Sequence, residues 1–452
     1  MTRPPPADAL SNTPLNQPSI WFGFAVFTAG IMLAWLWQIV VVRLATQAMD
    51  TRGSVRSAVA SQRALAVSAL LLGLAHTIAV FVGRWVDHIR NLMGDWILID
   101  ELVVILPALI GIAGVWWIQF AVERRLRDAA VFGALAGIEG RRINVVSAPR
   151  FVMSRAQQLF AFLMLPIGLV WSVREGTVFF GTPDWTELVI VLGMVVVLPV
   201  IMVRVAGTVP ITKGELRDAI ARVGLKQGAR INDIRVWRRE DGAMNAALVG
   251  TVPGLRAVLV TETLLEGLGE MELEAVVAHE VGHARRRHIP WMLGWIAGIV
   301  LCSSALDALA IRLGAPQEMQ WAILIVSALI GIWGFGMVSR RCEWQADAFA
   351  AQHLSGMERG KARGGQIEFE AAGAMRRALG AVAAHAGMHR QRFDFRHGSI
   401  AERQRRLDAL IGLDMQALPI DQTVRNWQIV IIGIVLIGFI GMFLITIAGG
   451  MP

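Results

Sequence analysis

A chain of 452 residues in which 55% are hydrophobic and only 17% charged carries more apolar surface than a water-soluble fold hides, against roughly 45–50% and 25% for soluble domains. The composition excludes a disordered chain, a collagen-like repeat and a disulfide scaffold, and two cysteines point to a reducing compartment or to indifference to redox. A formal charge of +8 needs no nucleic acid to explain it, because basic loops beside apolar spans set membrane orientation.

A helix needs about 20 apolar residues to cross the hydrocarbon core. In chain order the qualifying stretches are Ile20–Val42, Ala64–Val86, Ile97–Val122, Leu159–Val173, Leu188–Val205, Trp291–Ile311, Trp321–Val338 and Trp427–Ala448. The fourth is short and interrupted by Pro166. The first is too long and too rich in tryptophan for a signal-peptide core, so it is expected to be retained. Trp21, Trp85, Trp96, Trp291, Trp321 and Trp427 fall near proposed boundaries, where amphipathic rings favour the headgroup level. Assigning loops alternately to the two sides puts five Lys and Arg on one side and 38 on the other. The short loops alone divide eleven to five. Positive residues stay inside, so both termini are expected outside and the large loops in the cytoplasm.

This predicts an external tail at 1–19, five spans with basic loops at 20–207, and a polar cytoplasmic domain in two parts, 208–290 and 339–426, the parts that carry the chemistry read below. Two spans at 291–338 separate those parts, and a last span with its tail occupies 427–452. In the first polar part the pattern predicts a helix at Gly214–Val223. Strands follow at Ile231–Trp237, Ala246–Thr251 and Ala257–Thr261, the last two joined as a hairpin by Val252-Pro253-Gly254. A helix then runs from Glu270 to about His288. In the second part a helix continues span seven through Ser339–Leu354, and a Gly- and charge-rich connector, Gly356–Gln366, leads to a helix at Glu368–Ala386. The fold class is an α-helical polytopic membrane protein of about eight spans carrying an α+β domain.

The chemistry concentrates in His279-Glu280-Val281-Gly282-His283. Histidines at i and i+4 share a helical face and can reach one metal ion, while Glu280, about 100° round, can act on a water without ligating. Gly282 argues against a helix built only for stability, since a mid-helix glycine costs about 1 kcal/mol. A catalytic zinc takes three protein ligands. His288, five positions after His283 and on another face of a continuing helix, reads as a surface or capping residue. Glu343, just beyond a span in Arg340-Arg341-Cys342-Glu343-Trp344-Gln345-Ala346-Asp347, is the better third ligand. Asp347, one turn on, can accept a hydrogen bond from a ligand histidine and fix its tautomer. The alternative is a helix end whose carboxylates pair with Arg340 and Arg341. Asn245 and Ala246 open an apolar strand that, at a sheet edge, can pair with an extended peptide.

His279-Glu280-x-x-His283 followed by Glu343-x-x-x-Asp347 resembles the membrane zinc metallopeptidases that include HtpX and the CAAX prenyl proteases. Met244-Asn245-Ala246 is similar to the family's Asn-Ala motif on the strand beside the active site. His397-Gly398-Ser399-Ile400-Ala401-Glu402-Arg403 is similar to its His-Pro-x-x-x-x-Arg segment, with Gly398 where proline is usual. The resemblance covers about residues 213–410 and leaves the five N-terminal spans unaccounted for. It implies one zinc on His279, His283 and Glu343, a gluzincin fold, Glu280 as catalytic base, and peptide cleavage at the cytoplasmic face. Because the chain has no tyrosine, the oxyanion donor used by some zincins is absent, and the resemblance supplies His397 and Arg403 for that role. The implied partners are polypeptides, membrane or misfolded proteins, in a lipid bilayer, with no nucleic acid. Two alternatives stay open: a dedicated CAAX-type C-terminal processing protease, and a non-proteolytic transporter or scaffold with a vestigial metal site, for which the five extra spans and His76 and Asp307 inside spans are the supporting features.

Overall fold

The computed structural model describes residues 20–52, 55–135, 147–238, 243–250, 252–357, 365–385 and 389–449. The expected tail at 1–19 and most of the connector 356–366 lie outside them. Contacts divide the chain into two units, residues 1–207 with 239–241, and 208–238 with 242–452. Among the described residues seven helices are long and apolar enough to cross a membrane, and an eighth apolar stretch, Val189–Val205, is shorter. The protein is a polytopic, mostly helical membrane protein with one small sheet.

The first unit contains α1 (Ile20–Arg52), α2 (Val55–Phe81), α3 (Trp85–Met93), α4 (Ile99–Leu135), α5 (Ala148–Leu159), α6 (Leu165–Phe180) and α7 (Asp184–Val205). Lipid gives helices no hydrophobic reason to associate, so small residues and hydrogen bonds must hold them. Gly30 meets Ala75 with no room for a side chain, and Ala34, Leu72 and Val115 form a buried cluster. Beside it Gln38 Nε2 donates to Gln119 Oε1 (2.7 Å), Ser68 Oγ donates to Gln38 Oε1 (3.0 Å), and Gln119 Nε2 donates to Ser61 Oγ (3.0 Å). All four side chains are fully buried, so the network ties α1, α2 and α4 together.

Two expectations are refined here. Trp85, just past the end of α2, does not present a free ring: the left-handed Arg84 (φ 49°) precedes it, and it packs edge-on against Phe24 and Phe27, with centroids 5.0 and 5.2 Å away. The fourth span is longer than Leu159–Val173. It runs over Ala148–Phe180 through a π-helical turn, Phe160–Met164, just before Pro166, whose ring displaces the carbonyl four residues back and whose nitrogen cannot donate.

The second unit opens with β1 (Thr208–Pro210), a strand absent from the sequence-based reading, and α8 (Glu215–Lys226). It continues through β2 (Asp233–Trp237), β3 (Ala246–Val249), β4 (Ala257–Thr261), α9 (Glu262–Gly267), α10 (Glu270–Arg285), α11 (His288–Arg312), α12 (Gln317–Leu354), α13 (Phe369–His385), α14 (Ile400–Asp408) and α15 (Pro419–Gly449). The sheet order is β1-β2-β4-β3. β3 and β4 form the expected antiparallel hairpin, in register Ala246↔Val260 to Val249↔Ala257, and β4 runs parallel to β2. Gly250 enters the turn at φ +108°, with the Leu255 carbonyl where a Cβ would stand, so only glycine fits. β4 is buried along its whole length, whereas β3 lies at the edge of the sheet.

The core of this unit joins Val258 and Val260 to Ala275, Ala278 and Val281 of α10, Phe349 of α12, Met375 of α13 and Leu407 of α14. A Cβ on Gly282 would sit 3.0–3.2 Å from the Phe349 side chain. The mid-helix glycine is therefore what lets α10 settle against α12. Helix α12 is one unbroken rod of 38 residues, about 57 Å at 1.5 Å per residue, so the apolar segment and Glu343 share a single rigid element. The helix bearing the two histidines stops at Arg285 instead of reaching His288. Arg287 takes a left-handed conformation (φ 57°), and α11 starts afresh at His288.

Candidate metal centre

Helix α10 presents His279 and His283 one turn apart, and their Nε2 atoms face each other at 3.1 Å. Glu343 on α12 completes the group: Oε2 lies 3.6 Å from His279 Nε2 and Oε1 3.6 Å from His283 Nε2. One ligand atom from each of the three can be chosen so that all lie within 4.8 Å of one another. Two imidazole nitrogens aimed at the same point as a carboxylate are a donor set for a borderline metal such as zinc, with two N ligands and one O ligand. The residues present fit the metal that the motif implies.

A layer behind the donors fixes their directions. Asp347 Oδ1 lies 2.9 Å from His279 Nδ1, which leaves Nε2 as the outward-facing nitrogen. Arg403, buried on α14, forks onto Asp347 through Nε (2.8 Å to Oδ2) and Nη2 (2.7 Å to Oδ1), and its Nη1 stands 3.2 Å from Glu343 Oε2. One guanidinium therefore neutralises both buried carboxylates in the planar geometry it suits best. The alternative pairing of Glu343 and Asp347 with Arg340 and Arg341 is not what the fold adopts: Arg340 donates to Phe395 O (2.9 Å) and Arg341 to Met337 O (2.9 Å).

His397 sits half exposed with Nδ1 3.1 Å from Glu343 Oε1. Its loop is built by Asp394, whose Oδ1 accepts from the amides of Arg396 (2.9 Å) and His397 (2.8 Å). Gly398 has φ +74°, a conformation proline, fixed near −65°, cannot take. Glycine at this position therefore marks a local backbone of its own. Ser399 then caps α14, accepting from Glu402 N at 3.2 Å.

Glu280 faces the opposite wall, its Oε2 accepting from the Leu248 amide on β3 at 3.2 Å. Burial pushes its carboxyl up to about 7, with His279 opposing the shift and Glu343 adding to it. His279 is also buried, but the adjoining Asp347 and then Glu343 outweigh burial and hold its imidazole above the ordinary value. Burial, reinforced by His279, drives His283 well below its usual value.

A cleft of about 620 Å³ opens over these groups. Asn245, Ala246 and Leu248 of the β3 side line it, with Met375 and Leu379 of α13, His397, Arg403 and the three donors. Asn245 is exposed there, and its backbone is locked to Thr261, which donates from N (3.0 Å) and Oγ1 (3.1 Å) to Asn245 O. Of the site residues singled out from the sequence, all but Asp347, which stands behind His279, line this one cleft.

Sequence reasoning missed His288. Far from lying on the surface, it is fully buried, with Nδ1 2.8 Å from His283 Nδ1 and Nε2 2.9 Å from Gln345 Oε1. A helical wheel extended past Arg285 misplaces it, because α10 ends there and the left-handed Arg287 starts a new helix at His288. The positive φ there carries no sequence signature.

Fold and site together define a class: a helical membrane protein whose α+β domain gathers two histidines and a glutamate beneath a peptide-sized cleft. Residues 210–409 match peptidase family M48. It is similar to the protease HtpX homologs of Campylobacter curvus (34% identity over 138 residues; 28% of this chain, 48% of the relative) and Campylobacter hominis (34% over 117; 24% and 41%). It is also similar to that of Desulfatibacillum aliphaticivorans (31% over 162; 33% and 51%). The chain spans about half the length of the curated relatives it matches. Among solved structures it aligns with S. mikatae Ste24p over 87% of this chain and 100% of that one, at 16% identity and TM-score 0.47.

Replacing Arg403 by alanine strands two buried carboxylates and is expected to cost about 3–5 kcal/mol. Thermal denaturation of the detergent-solubilised protein should show this as a marked fall in midpoint, with Arg403→Lys recovering little because an ammonium cannot fork. An unchanged midpoint in Arg403→Ala would show that the guanidinium does not neutralise this site.

Proposed function

We propose that this chain is a membrane-embedded, zinc-dependent metalloendopeptidase that hydrolyses peptide bonds of membrane or unfolded proteins at the cytoplasmic face. The observation that carries the proposal is the convergence of His279, His283 and Glu343 within 4.8 Å, beside a sheet edge that opens into the cleft. His279, His283 and Glu343 are the residues that would hold the zinc. A bound zinc ion supplies Lewis acidity, polarising a scissile carbonyl and lowering the pKa of water toward ~7.

The chain's own residues do the rest. Among the described residues β3 has a strand on one side only, so an extended peptide can lie along its outer edge, where the Leu248 amide is held by Glu280, and Asn245 and Ala246 stand at the start of that edge. Glu280, with a carboxyl near 7, is poised to take a proton from the attacking water and hand it to the leaving amine, because a base works best with a pKa near the operating pH. The Leu248 amide aims that carboxylate, leaving Oε1 free of it. Arg403 directs its donors at Asp347 and Glu343, so its contribution is to position them. His397, half exposed on the cleft wall, is the side chain left to donate to the developing oxyanion.

The excess of 38 over five basic residues on one side supports placing the M48 domain in the cytoplasm and both termini outside. An alkaline phosphatase fused after Pro452 should then be active, and a fusion active only after Ile289 would reverse the orientation.

The base assignment is tested by Glu280→Gln. The variant should bind zinc like the parent yet lose about 10²–10⁴-fold in cleavage of an unfolded protein such as casein. Chelator should abolish the parent's activity and added zinc restore it. Substantial cleavage by Glu280→Gln, or activity indifferent to chelator, contradicts the proposal.

A further inference from the structure

Beyond the three donors lies a run of buried polar groups that hydrolysis does not itself use. His283 turns Nε2 toward His279 and Glu343. If that nitrogen is to offer its lone pair to a metal, the proton of the neutral ring must sit on Nδ1. Nδ1 lies 2.8 Å from His288 Nδ1, and two facing nitrogens share one proton between them. His288 therefore accepts at Nδ1 and carries its own proton on Nε2, which donates to Gln345 Oε1 at 2.9 Å. With its oxygen so committed, Gln345 turns its amide NH₂ outward and donates to Asp421 Oδ1 at 2.6 Å. The second oxygen of Asp421 accepts from Arg286 Nη2 at 3.2 Å.

Each link has one permitted direction. The lone pair required at His283 sets it at one end, and a carboxylate that can only accept sets it at the other. The two histidines are consequently held by different means. His279 meets a carboxylate, Asp347, directly, whereas His283 reaches one only through an imidazole and an amide. The distant carboxylate also belongs to a different part of the fold. Asp421 stands in the first turn of α15, where the positive end of the helix dipole favours a negative charge.

We propose that His288, Gln345 and Asp421 form a positioning chain that fixes the tautomer and direction of His283, so that the grip on the metal depends on the first turn of the last membrane helix. The proposal rests on the metallopeptidase reading above and adds residues that reading does not require. None of the three touches substrate; they act through His283.

The test reverses one link of the chain. In Gln345→Glu a new carboxylate still accepts from His288 but confronts Asp421. In Asp421→Asn an amide replaces the terminal acceptor. Combining the two restores continuity, since the new amide donates to the new carboxylate and its oxygen accepts from Arg286. Zinc affinity of the full chain in detergent, measured by competition with a chromophoric chelator, should fall about 10–100-fold in each single variant. It should return toward the parent value in the double variant, a coupling of opposite sign to simple additivity. A merely structural role predicts that the two losses accumulate. Singles that bind zinc like the parent, or a double weaker than either single, overturn the positioning chain. A parent that binds no zinc at all refutes the metal centre itself, and the chain with it, which separates the two failures.

Discussion

The structure depends on the neutralisation of charge in a place where water does not reach. Glu343 and Asp347 lie within one turn of each other on α12, both buried, beside two imidazoles. Withdrawing a carboxylate from water costs several kcal/mol even after relaxation. Arg403 offsets that cost for both at once, with three of its nitrogens directed at the pair. Without such a counter-charge, α12 would have no stable position from which to offer a carboxylate to the histidines of α10. The segment around His397 and Arg403 is in this sense part of the metal centre, although it follows Glu343 by more than fifty positions.

Close packing provides the second requirement. Donors sixty positions apart in the chain (His283 and Glu343) meet because α10 presses against α12 at Gly282, where Phe349 fills the space a side chain would take. The glycine that weakens α10 as an isolated helix is the one that brings it into register. The membrane segments add stiffness. α12 carries its apolar stretch and Glu343 on one rod, α11 begins with buried His288, and α15 holds Asp421 in its first turn. Glu343 and the chain behind His283 thus stand on helices whose remaining lengths are apolar enough to be held by lipid, so the geometry of the donors is coupled to the spans.

How much of this was legible in the sequence follows from how local each feature is. His279, Glu280 and His283 could be read because a helix converts spacing directly into geometry. The β3–β4 hairpin could be read because Val252-Pro253-Gly254 punctuates two apolar runs. Glu343 and Asp347 could be read as a ligand and its support from one helical turn near a span, but not their arginine partner: Arg340 and Arg341, offered as the alternative pairing, are neighbours in sequence, whereas Arg403 is the neighbour in space. The edge position of β3 was not legible, since strand order is a long-range property, nor was β1, three residues long and held by pairing with β2. His288 was misplaced by extending a helix past Arg287, and the burial of Trp85 beneath Phe24 and Phe27 was not legible because it is made across two helices. In each case a tertiary contact decided what a local pattern could not.

X-ray absorption at the zinc edge of the zinc-loaded, full-length protein tests the central claim most directly. The account predicts a shell of nitrogen and oxygen donors at about 2.0–2.2 Å, with the multiple scattering of two imidazoles and no sulfur near about 2.3 Å. A spectrum with a sulfur scatterer, which would place Cys342 on the metal, or with a single imidazole, would contradict it.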